Sequence, residues 1–481
     1  VRHAHTVEQV RAAEAELMAR LPEGTLMQRA AAGLAATCAR LLPRVYGSRV
    51  LVLAGSGDNG GDALYAGARL ARRGASVRAV LLAPGRVHAG GLAALLAAGG
   101  RVTDDQGEFG RADLVLDGIV GIGGRGGLRP EAQPYAAMAR RGPVVAVDVP
   151  SGVDPDTGEV SGVALRADVT VVFGTYKPGL LVDPGASYAG VVHLADLGLT
   201  LPDAPVRALQ HADLVALLPT PSAESDKYRR GVVGIAAGSA RYPGAALLAV
   251  AGALRGGAGA VRYAGTAAEE VVRRFPEALV TGAGPAAAGR VQAWVVGPGG
   301  GEGAAQALAE ALASPVPVLV DADGLTELAR LGPAALAGRT APTLLTPHTG
   351  EAARLLAGAT GEAPPAADDL AATRLATARR LAAAYGATVL LKGSTTVIAT
   401  PRGAARVNPT GTPWLATAGS GDVLAGLAGS LLAAGLDPLD AAAVAAYLHG
   451  LAGREAAAGG VPATALDVAD ALTTAWRTVQ G

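Results

Sequence analysis

The run Thr417-Ala-Gly-Ser-Gly-Asp422-Val-Leu-Ala-Gly426 holds one carboxylate inside a glycine turn that leads into an apolar stretch. Gly419 and Gly421 let the backbone turn sharply and present N–H groups, and a helix opening near Asp422 adds its positive end. Together these make a hole for the anionic charge of a transferring phosphoryl group. At the mouth of that hole Asp422 is suited to take the proton of an attacking hydroxyl. Taken alone, the same run serves equally well as a plain connection from strand to helix.

A second polar run, Gly55-Ser-Gly-Asp58-Asn59-Gly60-Gly61-Asp62, has a different chemistry. It lacks the spacing of a dinucleotide fingerprint, and its two carboxylates would repel a pyrophosphate. The oxygens of Asp58, Asn59 and Asp62 suit a hydroxyl-rich ligand or a hard cation. Asp117, Asp148 and Ser151 follow apolar runs and can converge on the same place. Singly, such aspartates are turn or cap residues; three sites at strand ends point to a ligand. Lysine occurs only as Lys177, Lys227 and Lys392 in a chain whose other cations are arginines, so each marks a place where a compact ammonium matters.

These residues need elements to hold them. Apolar spacing predicts helices over Val7–Arg20, Thr25–Leu42, Asp62–Arg73 and Ala89–Ala98, and strands over Arg49–Ala54, Ser76–Leu82, Leu114–Asp117, Val144–Val149 and Val169–Phe173. The alternation implies a mostly parallel sheet with helices on both faces and ligands at the carboxyl ends of its strands. Proline-rich, polar sequence near Leu201–Ser225 breaks the rhythm, giving domains over 1–210 and 220–481. The second restarts with a strand at Val232–Ala237 and a helix over Gly244–Arg255. Strands follow at Ala293–Val296, Val318–Asp321, Thr343–Thr346 and Thr388–Leu391, and a long helical region runs from Asp422 to the end. The fold class is α/β, with two three-layer α/β/α domains.

Composition excludes several functions. Zero net charge disfavours nucleic acid or an anionic membrane as partner. A single cysteine, Cys38, allows neither an intrachain disulfide nor a thiolate zinc site. Glu8, Glu14 and Glu16 interrupt the early apolar positions, so no signal peptide is expected, and no apolar run is long enough to span a bilayer. A cytoplasmic protein is expected.

Two resemblances cover nearly the whole chain. The Gly-Ser-Gly-Asp-Asn-Gly-Gly-Asp run, Asp117-Gly-Ile-Val-Gly-Ile-Gly, Asp148-Val-Pro-Ser-Gly-Val-Asp and Phe173-Gly-Thr-Tyr-Lys-Pro-Gly resemble the NAD(P)H-hydrate epimerase family over about residues 1–210. That likeness implies a Rossmann-like domain in which Asp58, Asn59, Gly60, Gly61, Asp62 and Gly121, Ile122, Gly123, Gly124, Arg125, Gly126 and Gly127 bind the hydrated nucleotide. It makes Asp148 the acid/base candidate and gives Asn59, Asp117 and Ser151 a potassium ion. The family usually has Asn at the position of Asp58 and Gly at that of Ala63.

In the second half, Lys227-Tyr-Arg-Arg-Gly, Gly297-Pro-Gly, Asp321-Ala-Asp-Gly-Leu, Thr346-Pro-His-Thr-Gly-Glu351, Lys392-Gly-Ser-Thr-Thr396 and the Asp422 loop occur in order. They resemble the ADP-dependent NAD(P)H-hydrate dehydratases of the ribokinase-like superfamily, over about 220–481. The resemblance implies substrate contacts at Ala245, Gly299, His348 and Asp422, nucleotide contacts at Lys392, Gly393, Ser394, Thr395, Thr396 and Gly421, catalysis by Asp422, and magnesium on the donor phosphates.

The implied chain is a bifunctional repair enzyme, an isomerase and a lyase. It would interconvert the R and S hydrates of NADH and NADPH (NADHX, NADPHX) and return the S form to NAD(P)H, using ADP or ATP to phosphorylate the added hydroxyl before phosphate leaves. A homo-oligomer is expected. The alternative is a ribokinase-like kinase for a small vitamin alcohol with a non-catalytic N-terminal binding module.

Overall fold

The computed structural model describes residues 1–138 and 141–481. The chain divides into two compact units, His3–Val206 and Arg207–Gly481 with Val1–Arg2.

The first unit is built on a seven-stranded sheet in the order Arg101–Val102, Ser76–Leu81, Arg49–Ala54, Leu114–Gly118, Val144–Val147, Val169–Phe173, Val191–Ala195, with every pairing parallel. The strands read as unbroken apolar runs because both faces are covered. Val50, Val52 and Ala54 pack with Leu34 and Leu64 on one side. Leu51 and Leu53 pack with Phe109 and Tyr135 on the other. The strand order reverses beside Arg49–Ala54, and the polar loops gather at the carboxyl ends there.

Nine neighbouring strands of the second unit run in the order Ala405–Asn408, Thr396–Ala399, Thr388–Leu391, Thr343–Leu345, Val318–Val320, Ala293–Val296, Val232–Ala236, Ala260–Ala264, Leu279–Thr281. The first two pairings are antiparallel and the others parallel. Ile235, Val295, Leu319, Leu344 and Leu390 share a core with Leu427, Leu431, Val444 and Leu448 of the helices Ser420–Ala433 and Pro438–Ala456. Helix Ser420–Ala433 lies directly on helix Pro243–Arg255, where a Cβ on Gly426 would overlap Ala249 O and one on Gly252 would overlap Val423 O. This small-residue contact fixes the depth of the helix that carries Asp422.

Several expected boundaries move. The helix placed at Asp62 begins at Asp58, because Gly60 and Gly61 belong to its first turn rather than breaking it. The strand drawn to Val149 ends at Val147, and Asp148 turns out of it with φ +68°. The strands drawn through Asp321 and Thr346 stop at Val320 and Leu345. The single C-terminal helical region is three helices, Ser420–Ala433, Pro438–Ala456 and Ala465–Gln480.

Candidate active sites

In the N-terminal unit, the strand Arg49–Ala54 delivers the chain to Gly55, where any Cβ would overlap Ile119 O. Gly57 then takes φ +89° and starts the helix. A Cβ on Gly60 would lie 2.5 Å from Gly55 O, so the loop can fold back on the helix only with glycine there. Beside this turn is a cavity of about 630 Å³, lined by Asp58, Asn59, Asp62, the whole run Gly121–Gly127, Asp148, Arg11, Glu14 and Phe173. Gly60 and Gly61 shape the turn but are not on the cavity wall. Ala63 is buried against Gly118 and is also off the wall, whereas Asp58 is on it.

Asp117 and Ser151 meet beneath the wall. Ser151 Oγ donates to Asp117 Oδ1 (2.6 Å), Ser151 N donates to Oδ2 (2.9 Å), and Ile119 N donates to Oδ1 (3.3 Å). Asp117 is fully buried, and burial outweighs these bonds, pushing its carboxyl up to about 6. Asn59 is tied to the flanking chain: its side-chain nitrogen donates to Val147 O (2.9 Å) and its oxygen accepts from Gly121 N (3.2 Å), the amide orientation following from that network.

Asp148 is held from two sides. Lys177 Nζ donates to its Oδ1 (2.5 Å) and to Phe173 O (2.9 Å), while Phe173 N also donates to Asp148 Oδ1 (3.0 Å). Lys177 is wholly buried, so the pair is charge-assisted and shielded from water. A left-handed backbone at a non-glycine residue costs energy and here turns the carboxylate toward the cavity edge. Asp62 contrasts with it. Its Oδ1 is buried without a hydrogen-bond partner, and burial, then the like charges of Asp148, Asp58 and Glu14, hold its carboxyl well above the usual range. Burial also raises Glu14, against the pull of Lys177.

In the C-terminal unit, Gly419 adopts φ +86° as the residue before helix Ser420–Ala433, so Asp422 stands in the first turn. Lys392 Nζ donates to Asp321 Oδ1 (2.8 Å) and lies 3.8 Å from Glu351 Oε2. A Cβ on Gly421 would sit 3.4 Å from Lys392 Nζ and 3.9 Å from Asp321 Oδ2, which puts this ion pair at the loop itself. Burial, followed by the charge of Asp321, pushes Asp422 up to about 7, against the pull of Lys392. Burial would lower Lys392, but Asp321, Glu351 and Asp422 outweigh it and its pKa rises.

The other expected residues fall in two groups around this cluster. His348 caps helix Thr349–Thr360: its Nδ1 accepts from Gly350 N (3.0 Å), and its own N donates to Glu351 Oε2 (2.8 Å). Its imidazole is half exposed, with Nε2 3.6 Å from Glu351 Oε1. Gly299, at φ +56°, faces Ala245: a Cβ on it would be 2.6 Å from the Ala245 Cβ. Lys392 and the connection Gly393–Thr395 join two antiparallel strands. Gly393 and Ser394 are exposed, Thr395 is buried, and Thr396 is already the first residue of the next strand.

Several residues of these sites were not singled out by type and spacing. Asp321 occupies a helix N-cap position yet makes no side-chain cap bond; its carboxylate goes to Lys392, and Ala322 after it takes φ +49°. His449 is buried, its Nε2 3.0 Å from Ser420 O, and burial pushes it down to about 4, so it is neutral and donates to that carbonyl. Nothing in the sequence marks His449. The scarcity of lysine was the available signal for Lys177 and Lys392.

Comparison with known proteins agrees with this division. A family model described as NAD(P)H-hydrate dehydratase matches residues 233–474. Another, described as YjeF-related protein N-terminus, matches residues 23–179. The bifunctional NAD(P)H-hydrate repair enzyme Nnr of Mycobacterium leprae is 49% identical over 99% of both chains. That of Mycobacterium tuberculosis is 52% identical over 92% of both. A crystal structure of the ADP/ATP-dependent NAD(P)H-hydrate dehydratase of Bacillus subtilis, obtained with ATP and Mg2+, is 32% identical with a TM-score of 0.51, covering 57% of this chain and 99% of that one. The N-terminal unit is Rossmann-like and the C-terminal unit ribokinase-like. Similarity that runs nearly end to end, through both carboxylate sites, makes the chain a member of the bifunctional NAD(P)H-hydrate repair enzyme family.

Proposed function

We propose that the chain repairs hydrated nicotinamide nucleotides, interconverting the R and S hydrates of NADH and NADPH in its first unit and dehydrating the S form in its second with ADP or ATP. The observation that carries this reading is the placement of Asp422 in the first turn of a helix opened by a glycine turn, with the half-buried Lys392–Asp321 ion pair at the same loop. A base poised there takes the hydroxyl proton as its oxygen attacks the terminal phosphoryl of the donor. The N–H groups of Gly419–Gly421 and Lys392 meet the charge that develops on phosphorus. The phosphorylated hydroxyl then departs as phosphate while C5 loses a proton, which restores the ring double bond. In the first unit, Asp148 serves as the acid/base group and the Gly121–Gly127 run lies along the ligand. These nucleotides fit a cytoplasmic setting.

Magnesium fits as a companion of the donor phosphates. Among the described residues no three His, Cys, Asp or Glu side chains are grouped to hold a metal ion, and Mg2+ commonly binds through phosphates and one or two carboxylates. It would supply charge neutralisation on the donor, with Asp321 or Glu351 as the carboxylates within reach of Lys392. Potassium fits the Asp117 site by donor chemistry: a fully buried carboxylate bonded only to neutral groups, with the Ser151 hydroxyl against it. Asn59 would supply the third oxygen. Replacing potassium by choline is expected to lower the unfolding midpoint of wild-type protein, and Asp117→Asn to remove that difference.

The decisive assay mixes the protein with both epimers of NADH hydrate and ADP or ATP and follows the return of dihydronicotinamide absorbance. Complete recovery is expected. No recovery with either donor sinks the dehydratase; a stable phosphorylated product would favour a kinase; recovery of one epimer only, apart from slow spontaneous exchange, sinks the epimerase.

A further inference from the structure

We infer that Asp62 is a second catalytic residue of the N-terminal site, the proton donor that complements Asp148. The inference rests on the epimerase reading above. Inverting the hydroxyl-bearing ring carbon needs two proton-handling groups. To leave, the hydroxyl takes a proton and departs as water while the ring nitrogen lone pair forms the N1=C6 bond of an iminium ion. To return, water adds to the opposite face of C6, the π electrons go back to nitrogen, and a base receives the surplus proton. Atoms and charge balance with no redox partner.

Among the carboxyls that line the cavity, Asp148 and Asp62 are suited to the two tasks, Asp62 being more deeply buried than Glu14. Asp148 is engaged by the Lys177 ammonium and the Phe173 amide, which stabilise a carboxylate. Asp62 lines the same cavity, is more than nine-tenths buried, and leaves Oδ1 without any hydrogen-bond partner in the protein. A buried carboxylate without partners is costly, whereas a buried carboxylic acid is tolerated and brings a proton to donate. The charged groups acting on it are Asp148, Asp58 and Glu14, all acidic, and they favour the protonated form together with burial. One carboxyl bonded to an ammonium and another left without a partner in the same cavity is an arrangement by which a site can assign base and acid. The fold holds Asp62 in place: the helix starts at Asp58, Gly60 closes the turn against Gly55 O, and Gly61 packs on His88, so Asp62 is the fifth helical residue and rigidly placed.

Asp62→Asn keeps the size and polarity of the side chain and removes the transferable proton. In the full chain, R-to-S exchange would be followed by chromatographic separation of the epimers without nucleotide. Binding of NADPH hydrate would be measured by calorimetry, and dehydration of pure S epimer with ADP would report that the chain is intact. The catalysed exchange rate is expected to fall by about 100-fold or more, the scale of general acid catalysis, with binding changed less than about threefold and dehydration unaffected. In the wild type, exchange is expected to decline as pH rises through the Asp62 titration, and Asp62→Asn is expected to lose that limb. Exchange within about threefold of wild type, or an equal loss in binding and rate, overturns the acid role in favour of none or of plain ligand contact. A wild type that does not accelerate exchange at all overturns the epimerase reading, and the role of Asp62 with it.

Discussion

The two sites use the same pair of groups differently. Each sets a lysine–aspartate ion pair, fully buried in the first and partly exposed at the lysine in the second, next to a further carboxyl raised by burial: Lys177–Asp148 with Asp62, and Lys392–Asp321 with Asp422. In the N-terminal site both aspartates are on the cavity wall; the paired one is held by Lys177, and the other leaves its Oδ1 without a partner. In the C-terminal site the paired aspartate is bonded to Lys392, and the raised carboxyl stands in a glycine turn at a helix N-terminus. The lesson is that a buried ammonium does not by itself mark the base. What decides is which carboxyl is left without partners and what backbone surrounds it. A neutral acid suits a leaving hydroxyl, whereas a carboxyl titrating near neutrality beside N–H groups suits phosphoryl transfer.

The largest effect that tests this contrast is Asp422→Asn. Dehydration is expected to drop by about 1,000-fold in kcat with the nucleotide KM nearly unchanged, because the base is lost and the anion hole stays. Steady-state kinetics against ADP read both; a loss confined to KM would make Asp422 a binding group and break the comparison. Next come the lysines. Lys177→Met strands Asp148 in a side-chain environment 1% exposed at the lysine and is expected to cost about 3–5 kcal/mol. Lys392→Met, at 20% exposure, is expected to cost about 1–2 kcal/mol, since water screens what remains. Urea unfolding, with hydrogen exchange at strand Arg49–Ala54 to isolate the first unit, measures both.

A smaller contrast lies in the loop glycines. Gly419→Ala forces a side chain into a left-handed backbone and onto Leu248, and is expected to cost about 1–3 kcal/mol and most of the dehydratase rate. Gly421→Ala meets only ordinary contact distances near Lys392 and is expected to weaken ADP binding by less than about tenfold while unfolding unchanged. The mildest test is pH. Dehydratase kcat/KM should rise as pH passes through about 7, because the raised carboxyl of Asp422 must ionise to act. Stability moves the other way: between the ordinary aspartate range and about 7 the folded chain holds protons at Asp117 and Asp422 that the unfolded chain has released, so their contribution falls as pH climbs. His449, held neutral, contributes in the opposite sense below its ordinary value, so the test is the difference from Asp422→Asn. The wild-type midpoint is expected to lose ground to the variant as pH climbs to about 7, and no change in that difference would contradict the Asp422 assignment.

Much of this was legible from residue types. The strand Arg49–Ala54 and the strands Val169–Phe173, Ala293–Val296 and Thr388–Leu391 coincide residue for residue with their apolar runs, because short β-branched runs of four to six residues suit a strand buried on both faces and are too short for a helix. The failures are long-range. Asp321 looks like a helix cap, and only its placement opposite Lys392, 71 residues on, gives its carboxylate another task. The glycine pair before Asp62 reads as a helix breaker, yet close packing on Gly55 and His88 keeps both residues in the helix, which moves Asp62 from a helix start to a sealed second turn. The strands Thr396–Ala399 and Ala405–Asn408 were missed because the threonines ahead of them read as a phosphate cradle. His449 gave no signal at all: its neutrality depends on burial that one sequence does not display.

The scarcity of lysine has a practical outcome for chemistry done on the protein from outside. With three lysines in the chain, one buried and one partly exposed within ion pairs, an amine-reactive acylating reagent meets Lys227 as the most open lysine side chain. Lys227, which is not on the wall of the N-terminal cavity, is therefore the position to carry a fluorophore or a surface tether. Lys392 in its ion pair is expected to acylate more slowly, and on the proposed nucleotide contact ADP is expected to slow it further, which mass spectrometry would read.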